Sequence, residues 1–283
     1  MRTVVFLLLL ALLSPLEYAL AWGWDGHKLI CAVAERQLTH AARRMVDELL
    51  EDGAGLKGGK VNFAESCIWA DDVKHSTRKD TYEHHFINVP DDAMTIVLAR
   101  DCEAVNCIAV GIQRALIYLT REPSGRRDVE RRAAALRYLG HYIGDLHQPL
   151  HIGNSKDWGG NKIKIQWRNK KSNLHALWDY EMLETIGVTY PESTDFLATV
   201  NTTSDETSIL AWMNESLALG RSHAYADTDG NLIRSGDSLG EAYLNRSKPI
   251  MLERMSLAAY RLAGLLNDIA AGRKPTAFEL SLP

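Results

Sequence analysis

The sequence has no excess of positive charge, few cysteines, and no apolar run long enough to cross a bilayer. Its formal net charge is −4 over 283 residues, which excludes a protein that grips duplex nucleic acid by surface charge alone. The apolar run "VVFLLLLALL" near the start has ten residues, whereas a spanning helix needs roughly 18–20, and no later segment reaches that length. There is also no internal repeat, low-complexity tract or linker that would divide the chain. A phosphate-bearing substrate would therefore have to be attracted locally, for instance by bound cations.

What is present begins with an address label. Arg2, the apolar run and the small-x-small triplet Ala19-Leu20-Ala21 have the form of a secretory signal peptide spanning residues 1–21. Cleavage before Trp22 would export the chain, to a periplasm or the exterior, as one domain spanning residues 22–283. The cut removes only Arg2 and Glu17, so the charge balance is unchanged. In an exported chain the four cysteines suggest two disulfides. Cys102 and Cys107 close a small loop and pair most easily, which leaves Cys31 with Cys67. None has zinc-finger spacing. Asn201, Asn214 and Asn245 each open an N-x-[ST] sequon, usable only in a glycosylating host.

The periodicity is mostly helical. "GHKLICAVAERQLTHAARRMVDELLED" carries Leu29, Val33, Leu38, Met45 and Leu49 at broadly helical spacing and ends at "GAGLKGG". "CIAVGIQRALIYLTRE", "RRDVERRAAALRYLGHYIGDLHQ", "LHALWDYEMLETIG" and the regions near 205–221 and 239–271 also read as helices. "NKIKIQWRNKKSNL" alternates Ile163, Ile165 and Trp167 with polar residues and reads as a small β-hairpin, the one good strand signal. The expected fold is mainly α.

The ten histidines are unevenly spread. "GHYIGDLHQPLH" holds His141, Asp145, His147 and His151, with His141 and Asp145 four apart and so on one helix face. Pro149 ends that helix and frees His151 to take another direction. "LHALWD" repeats the spacing with His175 and Asp179, while "CIWADDVKH" offers Asp71 and Asp72, and "YEHHFINVP" offers His84 and His85. One such pair is usually a surface ion pair, and His40, His75 and His223 read as ordinary histidines. Several pairs together, with nitrogen and oxygen donors and no thiolate, suit catalytic zinc. His27 lies five residues inside the new N-terminus, whose α-amine titrates near neutrality and can serve as a neutral donor.

These motifs, "WGWDGH", "WADD", "HHFI", "HYIGDLHQPLH", "GGN" and "SNLHALWD", resemble those of the S1/P1 family of zinc-dependent nucleases, in the family's order. The resemblance runs from Trp22 to about Asp179 and is weaker beyond. It implies a mostly helical domain of the zinc phospholipase C/P1 nuclease type with three zinc ions in a cleft. Asp71, His85, His141 and Asp145 would hold one ion. The amine and carbonyl of Trp22, with His27 and the shared Asp145, would hold a second. His151, His175 and Asp179 would hold a third. Asp71 would also orient the attacking hydroxide. His84 competes with His85, and Asp72 with Asp71, but the register favours His85 and Asp71; His147 is not a family ligand.

By the same resemblance the substrates would be single-stranded DNA and RNA, cut to 5′-phosphate products, and 3′-nucleotides. No protein partner is implied. Phe86 matches the family's stacking aromatic, and Lys74 and Asn161 match substrate-contacting positions. Asn88 departs from the pattern, which has aspartate there. An amide donates as well as accepts, whereas a carboxylate only accepts, so Asn88 bears on base preference. Two alternatives remain: a zinc phospholipase C of the same fold acting on lipid headgroups, and a secreted zinc-binding protein without catalysis. "GGN" and "HHFI" favour the nuclease, and no ligand position is missing.

Overall fold

The computed structural model of the chain describes residues 22–200, 202 and 206–275; the expected signal peptide and the sequon at Asn201 lie outside them. The structure is mainly α-helical. The first helical stretch divides into two helices, α1 (Gly23–Arg36) and α2 (His40–Asp52). The break has a local cause. Thr39 is extended at φ −61°, ψ 161°, and its hydroxyl accepts from the Ala42 N–H, capping α2. Asn267 bonds both Thr39 N and Gln37 O, holding the corner.

Farther along lie α3 (Trp69–Lys74), α4 (Ile108–Thr120), α5 (Arg126–His147), α6 (Ile209–Leu219) and α7 (Glu241–Ala270). α5 is the central element. From Ala133 to His147 it is buried on every side, and α1, α2, α4, α6 and α7 pack around it. Two glycines on one face of α5 allow α1 to come close. A Cβ at Gly140 would stand 2.5 Å from Cys67 Sγ, and one at Gly144 would stand 2.8 Å from His27 Nδ1. Cys31 pairs with Cys67, and Cys102 with Cys107, as the spacing suggested. The first bond ties α1 to the segment leading into α3.

The expected hairpin is β3 (Lys164–Trp167) against β4 (Lys170–Asn173), antiparallel, with β5 (Ser238–Leu239) added in parallel to β3. A further pair was not foreseen. β1 (Ile87–Val89) runs parallel to β2 (Ile152–Asn154), with Ile87 opposite Ile152 and Asn88 opposite Gly153. Three-residue strands are too short to show a period. This one matters because it sets the residues after His85 beside those after His151. Among the described residues, no helix is long and apolar enough to cross a membrane.

Candidate metal centre

Four segments deliver the histidines and aspartates to one place. α1 carries His27, α3 carries Asp71, the turn before β1 carries His85, and α5 carries His141 and Asp145. Asp145 is fully buried at the centre of the group. Its Oδ1 lies 3.2 Å from His27 Nε2, and its Oδ2 lies 2.9 Å from His85 Nδ1 and 3.2 Å from His141 Nε2. Asp71 Oδ1 is 3.4 Å from His141 Nε2 and 3.6 Å from His85 Nδ1. A second group lies alongside. His175 Nε2 is 3.2 Å from Asp179 Oδ2, His151 Nε2 is 3.6 Å from Asp179 Oδ1, and His151 Nδ1 is 3.9 Å from Asp145 Oδ1. His175 and Asp179 sit on a helical stretch that widens into a π-helix over Leu177–Glu181, a distortion common at functional sites.

The donor atoms form three overlapping or adjacent sets that could each hold a metal ion: His27, Asp71 and His141; His85, His141 and Asp145; and His151, His175 and Asp179. Within each set the donor atoms lie within 4.8 Å of one another. The histidine tautomers follow from the backbone. Nδ1–H of His141 donates to Cys67 O at 2.7 Å, that of His151 to His85 O at 2.7 Å, and that of His175 to Gly159 O at 2.6 Å. Each leaves a bare Nε2 lone pair facing the cluster, the usual arrangement behind a metal-binding histidine. Several buried atoms have no hydrogen-bond partner: both ring nitrogens of His27, Asp71 Oδ2, Asp145 Oδ1, His151 Nε2 and Asp179 Oδ2. Such atoms cost free energy unless a cation completes them. This donor set therefore fits divalent metal.

The electrostatics agree. Burial works to raise the Asp71 carboxyl, but Lys74, at 2.5 Å, and His141 outweigh it and hold the acid below its ordinary range. Burial opposes charge on Asp179 too, yet His175 and His151 bring it down to about 2. For His141, burial favours the neutral ring, but Asp145 and Asp71 overcome it and push the pKa up to about 10. His85 goes the other way, to about 3, through burial and then the Lys74 charge. The carboxylates thus stay charged and attract cations, and a proton held on His141 is one that a bound metal ion would displace.

The neighbours that competed in the sequence separate in space. Asp72 is exposed. His84 is buried but turned away, edge-on to Tyr142 and 3.5 Å from the Arg114 guanidinium. Burial and that charge hold it at about 4. His147 Nδ1–H donates to Ile143 O, and its Nε2 accepts from Arg261, outside the donor sets. Trp22 is fully buried with its indole N–H donating to Gly144 O at 2.8 Å, and its carbonyl accepts from Gly26 N.

A cleft of about 800 Å³ opens over the cluster. Lys74, Phe86, Asn88 and Asn161 all line it, as do His85, His151 and His175. Sequence reasoning missed several other lining residues. Trp158, 61% exposed, stands on the wall with its backbone at φ 55° and Lys162 Nζ 4.1 Å from its ring centroid. A tryptophan directly before "GGN" in a polar loop, with nothing to bury it, was the available signal. Tyr82 meets Phe86 edge-on at 5.8 Å, and His75, read as ordinary, lines the cleft as well. Gln148, buried against Asp179, gave no sequence signal.

The S1/P1 Nuclease family model matches residues 22–271 of this chain. Endonuclease 2 of Arabidopsis thaliana is 31% identical over 270 residues, covering 88% of this chain and 90% of that protein. Endonuclease 1 of the same plant is 29% identical over 289 residues, covering 94% and 92%. Nuclease S1 of Aspergillus oryzae is 27% identical over 287 residues, covering 92% and 96%.

Proposed function

The chain belongs to the S1/P1 nuclease family and is a hydrolytic nuclease; from that premise we propose that it cuts single-stranded DNA and RNA with three zinc ions. The observation that carries this reading is the convergence of bare histidine nitrogens and partnerless carboxylate oxygens beneath one cleft. Asp71, His85, His141 and Asp145 would hold one ion. His27, Asp145 and the freed amine and carbonyl of Trp22 would hold the second, and His151, His175 and Asp179 the third. The family match beginning at Trp22 supports a cut there, and with it a signal peptide, export to a periplasm or the exterior, and a single mature domain. An exported chain that meets a glycosylating host would, of the two sequons among the described residues, offer the exposed Asn245 more readily. Asn214 commits both side-chain heteroatoms to Ile96 N and Leu210 O.

When bound, the metal lowers the pKa of water toward neutrality and neutralises phosphoryl charge. The chain's own residues do the rest. Asp71, held ionised by Lys74, would orient the attacking water by accepting its hydrogen. Lys74 adds a positive charge at the cleft floor for a phosphate oxygen. Phe86 and Trp158 offer aromatic faces to a base, worth roughly 1–3 kcal/mol per stacked base. A base inside a duplex cannot enter such a space, so single strands are favoured. Asn161 and the Asn88 amide contact the nucleotide. Breaking the bond to the 3′-oxygen leaves a 5′-phosphate and a 3′-hydroxyl, and the same step on a 3′-nucleotide releases phosphate.

Digestion of single- and double-stranded oligonucleotides by chain starting at Trp22 tests this. Chelator-sensitive cleavage of the single strand to 5′-phosphate ends is expected. Zinc-loaded protein that leaves the oligonucleotide intact but hydrolyses phosphatidylcholine would overturn the substrate reading. A retained extra residue ahead of Trp22 should displace the amine and lower zinc content; full zinc content would sink that ligation.

A further inference from the structure

Gln148 stands where α5 ends and belongs to none of the three donor sets, yet it is fully buried. Pro149 keeps the preceding residue out of helical conformation, and Gln148 turns the chain at φ −79°, ψ 116°. Its backbone is bonded on both sides. The N–H donates to Asp145 O, and the carbonyl accepts from His151 N, each at 3.0 Å. Its side chain reaches two further partners. Oε1 accepts from Leu150 N at 2.5 Å, and the Nε2 amide donates to Asp179 Oδ1 at 2.5 Å. These partners fix the amide orientation, since the Leu150 N–H needs an acceptor and the ionised carboxylate needs a donor.

Building on the metal reading above, we propose that Gln148 is the positioning residue of the third cluster, holding the Asp179 carboxylate and the turn that carries His151 in one geometry. The amide occupies Asp179 Oδ1, and Oδ2, which has no hydrogen-bond partner, is presented 3.2 Å from His175 Nε2. The chemistry favours glutamine over charged residues of similar reach. Lysine or arginine would neutralise Asp179 and compete with a metal cation, and glutamate would set one carboxylate against another. A neutral donor orients the acid and leaves its charge for the ion.

Two variants separate this role from plain packing. Gln148→Leu loses both side-chain hydrogen bonds. Gln148→Glu keeps the acceptor for Leu150 N and loses the donor to Asp179. Each chain, starting at Trp22 and loaded with zinc, is equilibrated against graded chelator beside wild type and His175→Ala, and zinc per chain is read. The thermal unfolding midpoint of each zinc-free chain is measured in parallel. Both Gln148 variants should release one zinc, the one that His175→Ala lacks, at roughly 10–100-fold weaker chelation than wild type, with the other two retained. Gln148→Glu holding all its zinc as wild type does would overturn the proposal and leave only a turn-forming role. Parallel loss of every zinc with a collapsed midpoint in both variants would also overturn it. Wild type that takes up no zinc would remove the metal reading and this inference together, whereas normal wild-type loading with unchanged variants would remove this inference alone.

Discussion

His141 and His147 lie on the same helix, both fully buried, and the structure uses them in opposite ways. His141 faces Asp71 and Asp145, which push its pKa up to about 10 against the effect of burial. His147 is held well below its ordinary value by burial and by Arg254 and Arg261. Its surroundings form a closed polar network. Arg261 donates to His147 Nε2 and Glu215, while Arg254 donates to His147 O, Glu215 and Ser216. Ser216 in turn donates to Leu146 O. Both His147 ring nitrogens are partnered there. In the His141 region, Lys74 donates to Asp71 Oδ1, but both ring nitrogens of His27, Asp71 Oδ2 and Asp145 Oδ1 have no hydrogen-bond partner. The closed network braces the end of α5 with α6 and α7; the open one leaves donor atoms that a cation could complete. A buried histidine is a ligand candidate when its inward nitrogen faces acids rather than cations.

The sharpest way to break this contrast is to disable the open network. Asp145→Asn should cut strand cleavage on the order of 10³-fold, because losing several kcal/mol of metal-dependent stabilisation corresponds to about that factor. Steady-state cleavage beside zinc content would check it, and full activity would show that Asp145 is not shared.

Disabling the closed network should strike stability and spare the metal. Glu215 is a third exposed, so Glu215→Gln should cost about 2–3 kcal/mol, below the 3–5 typical of breaking a fully buried pair. Denaturant unfolding measures it, with zinc per folded chain unchanged. The sign of its pH dependence follows from the lowered Glu215 pKa, where burial is outweighed by Arg261 and Arg254. The stabilisation is present above pH 4.5, the ordinary value, and fades as pH falls through the lowered one. The substitution should flatten that acid limb.

Smaller effects sharpen the contrast at the cleft. Phe86→Ala should weaken single-strand binding by roughly 1–3 kcal/mol with zinc content intact, seen as a rise in KM. Asn88→Asp should shift preference among the four homopolymers by about 1 kcal/mol, the scale of one hydrogen bond. Equal change on all four would count against a base contact.

The helices and the hairpin were legible because long periodic stretches carry their own signal, and the i,i+4 spacing of His141 with Asp145 survives directly into the structure. The parts that were not legible depend on partners distant in sequence. The break at Thr39 draws on Asn267, and the β1–β2 ladder joins segments more than sixty residues apart. The choice of His85 over His84 came from resemblance, and the structure supplies its physical reason: His85 turns toward Asp145 while His84 meets Arg114. Gln148 and Trp158 show the limit most clearly. An isolated glutamine carries no signal, and a loop tryptophan only a weak one, until the fold sets the first against Asp179 and the second along the cleft.

The most direct measurement is the zinc content of chain starting at Trp22, purified without added metal and counted per folded molecule beside Asp145→Asn and Glu215→Gln. The open-network account predicts three zinc ions in wild type and in Glu215→Gln, and a loss confined to Asp145→Asn. Zinc that follows Glu215 rather than Asp145, or wild type that binds none, would contradict it.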